Sequence, residues 1–333
     1  MPFHSELEVT AMKILLTHDN SQASRHAIDF AAQLPLRRPI DVDTVEVVSP
    51  PLLIDSPNAE LPLEIGEFLE GEIQNAHQEL DEACRTLEGR DHVHSAHPHV
   101  LVGPPTAKLL EFAESSQADL VVLGAIGHSA IKRILLGSVS DYVATHSNTS
   151  TLVVRPSGAA EPQLDRVMLA LSGRPEDARM LHWVRELKLR PNVEIHLVRV
   201  LDLFTFYRQD FRQTSSKAWE RQSVEAQSQI LDFETELQKL GLNTETHLVQ
   251  ADHVGDALVN YIDRHGIDLA MTGDSDSGLL TRVFLGSVSR HVLRHASCSV
   301  LIARDRRDGM HADSRMAGQQ SSALPQPHSA GVT

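Results

Sequence analysis

Apolar residues fall along this chain in short unbroken runs separated by segments of helical spacing. Residues 13–17 form an apolar run of strand length, followed by residues 21–34 with Ala27, Phe30, Ala31 and Leu34 at helical intervals. Ser21 stands where a helix N-cap is expected. Residues 42–48 read as a second strand. Pro50, Pro51, Pro57 and Pro62 then mark a connection. A long helix is predicted over 63–87, with Ile65, Phe68, Ile73, Ala76, Leu80 and Leu87 as its apolar stripe. A short strand at 99–102, a helix over 106–116, a strand at 120–123, a helix over 139–145 and a strand at 152–154 complete this half.

The order then repeats. Strands are predicted near 167–171, 193–200, 244–249, 269–272 and 300–303, with a long helix over about 216–240. The shift that carries Gly124 onto Gly273 also carries Asp119-Leu120 onto Asp268-Leu269, Arg133 onto Arg282, His146 onto His295 and Arg155 onto Arg304. A repeat of this length is a duplicated domain, not a solenoid. Strand–helix alternation with nearly continuous apolar strands implies parallel sheets covered by helices on both faces. The expected fold class is therefore α/β, with two tandem Rossmann-like domains over residues 12–156 and 165–304. The linker falls near Pro156–Pro162. From residue 305 to residue 333 the composition turns to Arg, Asp, Ser, Gln, Gly and Pro, which reads as a disordered tail.

Composition narrows the function classes. At 333 residues, 41% hydrophobic and 23% charged, each half can bury its own core. A net charge of -15 disfavours nucleic acid and anionic membrane surfaces as partners. The lone cysteines Cys84 and Cys298 form no disulfide framework and no metal pair. Residues 1–12 lack the apolar core of a signal peptide, and no apolar run is long enough to span a bilayer, so a cytoplasmic location is expected.

The candidate chemistry lies in the repeated glycines. Gly124-Ala125-Ile126-Gly127 is followed by nine residues and then Gly137-Ser138-Val139-Ser140. Gly124 directly follows the 120–123 strand that ends in Leu123, at the carboxyl edge where open α/β sheets bind ligands. A glycine there permits close backbone approach. Gly137 and Ser138 open a helix whose unpaired N–H groups suit phosphate, with the hydroxyls of Ser138 and Ser140 as further donors. The pattern is neither a Walker loop nor the close-set dinucleotide fingerprint.

Gly124-x2-Gly127-x9-Gly137-Ser138, with Asp19 just after the first strand, resembles the ATP-binding class of universal stress proteins over nearly the whole chain, in two copies. The resemblance implies a five-stranded parallel sheet between helices in each domain, dimerisation through the last strand, and a role in stress resistance. It implies ATP, with Mg2+ or Mn2+ as its counter-cation. Carried across, Thr17 and Asp19 lie along the nucleoside and Val47 forms the apolar wall near adenine. Gly124 and Gly127, with Leu123 before them, cover the ribose and phosphates. Gly137, Ser138, Val139 and Ser140 form the phosphate turn. Ile126 departs from the Arg or His often found there, with His128, Lys132 and Arg133 nearby. The two domains are expected to pair within the chain, as separate chains do elsewhere in the family, and a further homodimer stays open.

The second copy keeps the spacing but places Ser172 at the Asp19 position and Asp276 at the Gly127 position, with Asp274 beside it. Carboxylates there repel phosphate, so this copy is expected not to bind ATP in the same way. Asp274 and Asp276 read as a solvent-facing polar loop, with a divalent-metal site as the sharper alternative. His92, His94, His97 and His99 read as a loop entering a strand with a structural or incidental role, with a zinc or nickel site as the sharper alternative. The acidic row Glu64, Glu67, Glu70 and Glu72 reads as a solvated helix face. Phe204, Phe206, Tyr207, Phe211 and Trp219 read as core or a contact surface. No catalytic set stands out, which limits enzymatic expectations to slow ATP hydrolysis.

Overall fold

The structure, a computed structural model, describes residues 10–50, 63–125, 136–156, 164–202, 215–274 and 285–305. In the first half the elements are β1 (Met12–His18), α1 (Gln22–Ala31), β2 (Ile40–Val48), α2 (Leu63–Glu88) and β3 (Val93–Val102). They continue with α3 (Pro105–Ser115), β4 (Leu120–Gly124), α4 (Ser138–His146) and β5 (Ser150–Val154). The second half holds β6 (Arg166–Leu171), a 3-10 turn (Pro175–Asp177), α5 (Ala178–Glu186), β7 (Glu194–Asp202) and α6 (Ser215–Gln238). It ends with β8 (Asn243–Ala251), α7 (Val254–His265), β9 (Leu269–Gly273), α8 (Ser287–His295) and β10 (Ser299–Ala303).

All ten strands form one sheet, in the order β3-β2-β1-β4-β5-β10-β9-β6-β7-β8. Each half is a parallel five-stranded sheet in the doubly wound order, and the halves meet where β5 and β10 run antiparallel. The mixed α/β, Rossmann-like reading holds in both copies. The central strands are apolar on both faces because both faces are covered. One core collects Ala27, Leu87, Met180 and Leu237 from α1, α2, α5 and α6. The opposite core collects Leu109, Val143, Leu258 and Val292 from α3, α4, α7 and α8. Both cores run through both domains.

Local signals explain several boundaries. Ser21 caps α1 by accepting the Ser24 N–H, as its position suggested. Pro105 opens α3, where its missing N–H costs nothing. Gly266 closes α7 in the left-handed conformation. Two readings change. The third strand begins at Val93, not at residue 99, so His94 and His97 lie on the strand with His99 and not in a loop before it. Its polar outer residues hid it, because it is an edge strand. Phe68 lies exposed on α2, while Ala76, Leu80 and Leu87 of the predicted stripe are buried.

The domain junction has an internal two-fold. Leu152 pairs with Leu301, its own counterpart in the repeat, and Val153 with Val300. Arg155 Nη2 donates to the Leu293 carbonyl at 2.8 Å, and Arg304 Nη2 donates to the Ala144 carbonyl at 2.7 Å. These are the same bond in each direction. Burial opposes the charge on both guanidiniums. Further out, Trp183 Nε1 donates to Ser150 Oγ, Leu36 bridges to Leu187, and Arg294 makes two bonds to Asp141.

Candidate functional site

At the carboxyl ends of β1, β2 and β4 lies a cavity of about 460 Å³. Thr17, Asp19, Val47, Leu123, Gly124, Gly137, Ser138, Val139 and Ser140 all line it. The tenth residue, Gly127, lies outside the described residues, as do Ile126, His128, Lys132 and Arg133. Strand geometry explains the convergence. β1 ends in Thr17 and His18 beside β2, in register with Val45 and Glu46. Alternation on β2 turns Val45 and Val47 to the same face. Pro105 and Leu109 of α3 close the apolar side.

The polar end is formed by α4. Its N-cap is Gly137, which offers no side chain to the first-turn N–H groups. An uncapped helix start at a cavity is a ready site for an anion. Ser138 is exposed there. Ser140 plays a different part from the one its position suggested. Its hydroxyl is buried and donates to the Gly124 carbonyl at 2.7 Å, locking α4 to the end of β4. Gly124 also has a structural reason. A Cβ there would stand 2.6 Å from the Ala23 carbonyl carbon and 2.7 Å from its oxygen, so the close approach of α1 itself requires a glycine.

Asp19 is exposed, and its Oδ1 accepts the Ser21 N–H at 3.1 Å. The loop therefore uses this carboxylate to set the entry to α1 while leaving it at the cavity wall. His18, missed in the sequence, lines the cavity and is buried, with Nδ1 2.9 Å from Glu46 Oε2. Its position one residue before Asp19 was the available signal.

The second domain carries an equivalent cavity of about 390 Å³, lined by Ser172, Gly273, Gly286, Ser287, Val288 and Ser289. Ser289 repeats the lock, donating to the Gly273 carbonyl at 2.8 Å. The wall differs. Glu176, Asp177 and Asp274 all line it, together with Arg174. The Asp177 carboxylate takes up the N–H groups of Ser172 and Gly173 and the Ser172 hydroxyl, at 2.7–3.1 Å. Burial pushes its carboxyl up, against these hydrogen bonds and the nearby Arg199. Gly173 takes φ +73, and a Cβ there would meet the Arg199 guanidinium. Asp274 is neither solvent-facing nor part of a metal cluster among the described residues. It is buried, with Oδ2 3.4 Å from Arg304 Nε. Asp276 lies outside the described residues.

His146 Nδ1 lies 2.8 Å from the Tyr142 carbonyl and His295 Nδ1 2.9 Å from the His291 carbonyl, each finishing its helix. Phe204, Phe206, Tyr207 and Phe211 lie outside the described residues. Among the described residues no helix is long and apolar enough to cross a membrane.

Comparison with known proteins adds to this geometry. The sequence pattern of the universal stress protein family matches residues 10–155 and again residues 163–304. A universal stress protein of Methanocaldococcus jannaschii is 32% identical over 152 residues, 43% of this chain and 81% of that protein. A universal stress protein of Mycobacterium tuberculosis is 24% identical over 221 residues, 65% of this chain and 71% of its own length. Among solved structures, a universal stress protein from Archaeoglobus fulgidus superimposes with a TM-score of 0.59 at 18% identity. That match covers 89% of this chain and 98% of that one, a likeness of fold.

Proposed function

The chain belongs to the universal stress protein family, and from that premise we propose that its first domain binds ATP as a regulatory or sensing ligand in a stress response. The second domain keeps the scaffold without holding ATP in the same way. The observation that carries this reading is the convergence of nine motif residues on one cavity, under a helix N-terminus with no side-chain cap.

The residues present fit the ligand by chemistry. Val45, Val47 and Leu109 supply an apolar wall for a base. Asp19 is an acceptor for ribose hydroxyls. The first-turn N–H groups of α4 and the exposed Ser138 hydroxyl face the end where phosphates would lie. Bound ATP supplies charge and a hydrolysable anhydride, and Mg2+ or Mn2+ would travel with it. The chain's own residues hold and orient the ligand.

The second cavity argues for the asymmetry. Three carboxylates and one arginine line it, and the backbone donors after β6 are already taken by Asp177. A phosphate chain entering there meets like charge in a partly dry site.

Calorimetric titration of the full chain with ATP tests the reading. The expected result is one ATP per chain. Ser138→Asp adds a carboxylate at an exposed position and is expected to weaken binding by about tenfold or more, while Ser287→Asp leaves it unchanged. Two ATP per chain, or loss in Ser287→Asp alone, overturns the asymmetry. Absence of binding favours a nucleotide-free interaction module. ADP accumulating in proportion to protein, and abolished by Ser138→Asp, favours a weak hydrolase.

A further inference from the structure

On the α7 side of the second half-sheet three histidines, a tyrosine and a glutamate meet. His196 of β7 is paired in register with Glu245 of β8, and His247 follows Glu245 by two positions, so all three side chains leave the same face. Glu245 Oε2 lies 3.2 Å from His247 Nε2 and 3.8 Å from His196 Nδ1. With one ligand atom from each residue, the three atoms lie within 4.8 Å of one another. A zinc-like ion with ligand bonds of about 2.0–2.2 Å needs donors roughly 3.3 Å apart, and small side-chain rotations reach that spacing.

Three further observations describe the surroundings of this cluster. His196 is 3% exposed and turns Nδ1 toward Glu245 and Tyr261, which leaves Nε2 buried on the far side of the ring without a hydrogen-bond partner. Glu194 Oε2 lies 3.9 Å from that nitrogen, placed as an outer carboxylate that orients a metal-bound imidazole. His265, at the end of α7, brings a third imidazole, with ring centroids 5.6 Å from His196 and 5.7 Å from His247.

The first domain supplies a natural control. By strand register, Asp43 takes the place of His196, and His97 and His99 those of Glu245 and His247. There His99 Nε2 meets Asp43 Oδ1 at 2.9 Å, and Phe112 of α3 packs on His99 where Tyr261 stands in the second domain. That set closes as a simple histidine–carboxylate pair. The second domain exchanges the inner acid for an imidazole and adds His265 and a phenol.

We propose that His196, Glu245 and His247 form a binding site for a divalent transition-metal ion of the zinc class. The donor set of two imidazoles and one carboxylate suits zinc and leaves a coordination position open. Glu245 is half-exposed, which gives the ion a path from solvent. The Tyr261 hydroxyl, 2.8 Å from His196 Nδ1, holds that nitrogen until a metal displaces it. The ion would tie β8, an edge strand of the sheet, to β7.

The test uses the tag-free full chain, stripped with a chelator and titrated with zinc chloride. The expected result is one zinc per chain and a rise in thermal midpoint on loading. His247→Ala and Glu245→Gln, both at partly open positions, are each expected to weaken binding by about tenfold or more, with circular dichroism reporting an intact fold. His99→Ala is expected to leave binding unchanged. Cobalt in place of zinc is expected to give visible bands of a nitrogen- and oxygen-ligated centre that His247→Ala abolishes. No zinc bound at millimolar concentration, or equal affinity in His247→Ala, overturns the proposal.

Discussion

The two cavities occupy the same place in the same fold, at the ends of β1 and β4 in one domain and of β6 and β9 in the other. They are walled by opposite chemistry. Among the described residues the first has a single lining carboxylate, Asp19, while the second has Glu176, Asp177 and Asp274. The serine locks Ser140 and Ser289 are alike to within 0.1 Å, at 2.7 and 2.8 Å. The comparison teaches that the elements closing the fold and those meeting a ligand are separable, even when they share four consecutive residues. The last serine of Gly-Ser-Val-Ser persists in both copies for a reason that needs no nucleotide. What distinguishes the copies is the loop after the first strand of each domain and the residue after the fourth.

Several measurements break or sharpen this comparison. The largest effect is expected at the junction. Arg304→Leu leaves the buried Asp274 carboxylate without its partner and should cost about 3–5 kcal/mol. Arg155 faces only carbonyl acceptors, with Ala125 at the position equivalent to Asp274, so Arg155→Leu should cost about 1–3 kcal/mol. Urea denaturation reads the difference, and adding Asp274→Ala to Arg304→Leu should recover most of the loss. Equal costs for the two arginines would mean that the ion pair contributes nothing to the asymmetry.

Next comes the pair of glycines. Gly124→Ala drives a Cβ into the α1 backbone and should cost about 1–3 kcal/mol. At Gly273 the nearest atom stands 3.7 Å away, so Gly273→Ala should stay within about 0.5 kcal/mol of neutral. Thermal melts of the two variants test whether the 3-10 turn at Pro175–Asp177 sits looser on β9 than α1 does on β4. The smallest effect is expected at Asp141, whose two bonds to Arg294 cross the junction at a partly open site. Asp141→Asn should cost about 0.2–1 kcal/mol, and the difference should shrink in high salt.

Much of the architecture was legible because it rests on local pattern. Apolar runs such as residues 120–123 and 269–272 can only be buried strands, and the glycine spacing exposed the duplication. The cavity was legible because its lining comes from strand ends and one helix start, which are sequence landmarks. What escaped depends on distant partners. The early part of β3 is polar because it is an edge, so it carries no apolar signal. Asp274 looked like a loop carboxylate, since nothing local announces Arg304 as its partner. The packing reason for Gly124 was hidden because the atoms it avoids belong to Ala23, about a hundred positions away in the chain. The meeting of His196, Glu245 and His247 follows from strand register, which a single sequence does not display.

The pairing of Leu152 with Leu301 has a consequence for how such a chain can vary. Two separate copies of one domain, joined through this strand, would carry every substitution twice. An acid at the Asp274 position would then have to suit both sides of the axis at once. Here the axis relates residues encoded independently, so Ala125 and Asp274 occupy one geometric position with different chemistry. Tandem linkage thus relaxes a symmetry constraint, and each substitution is weighed against a single environment.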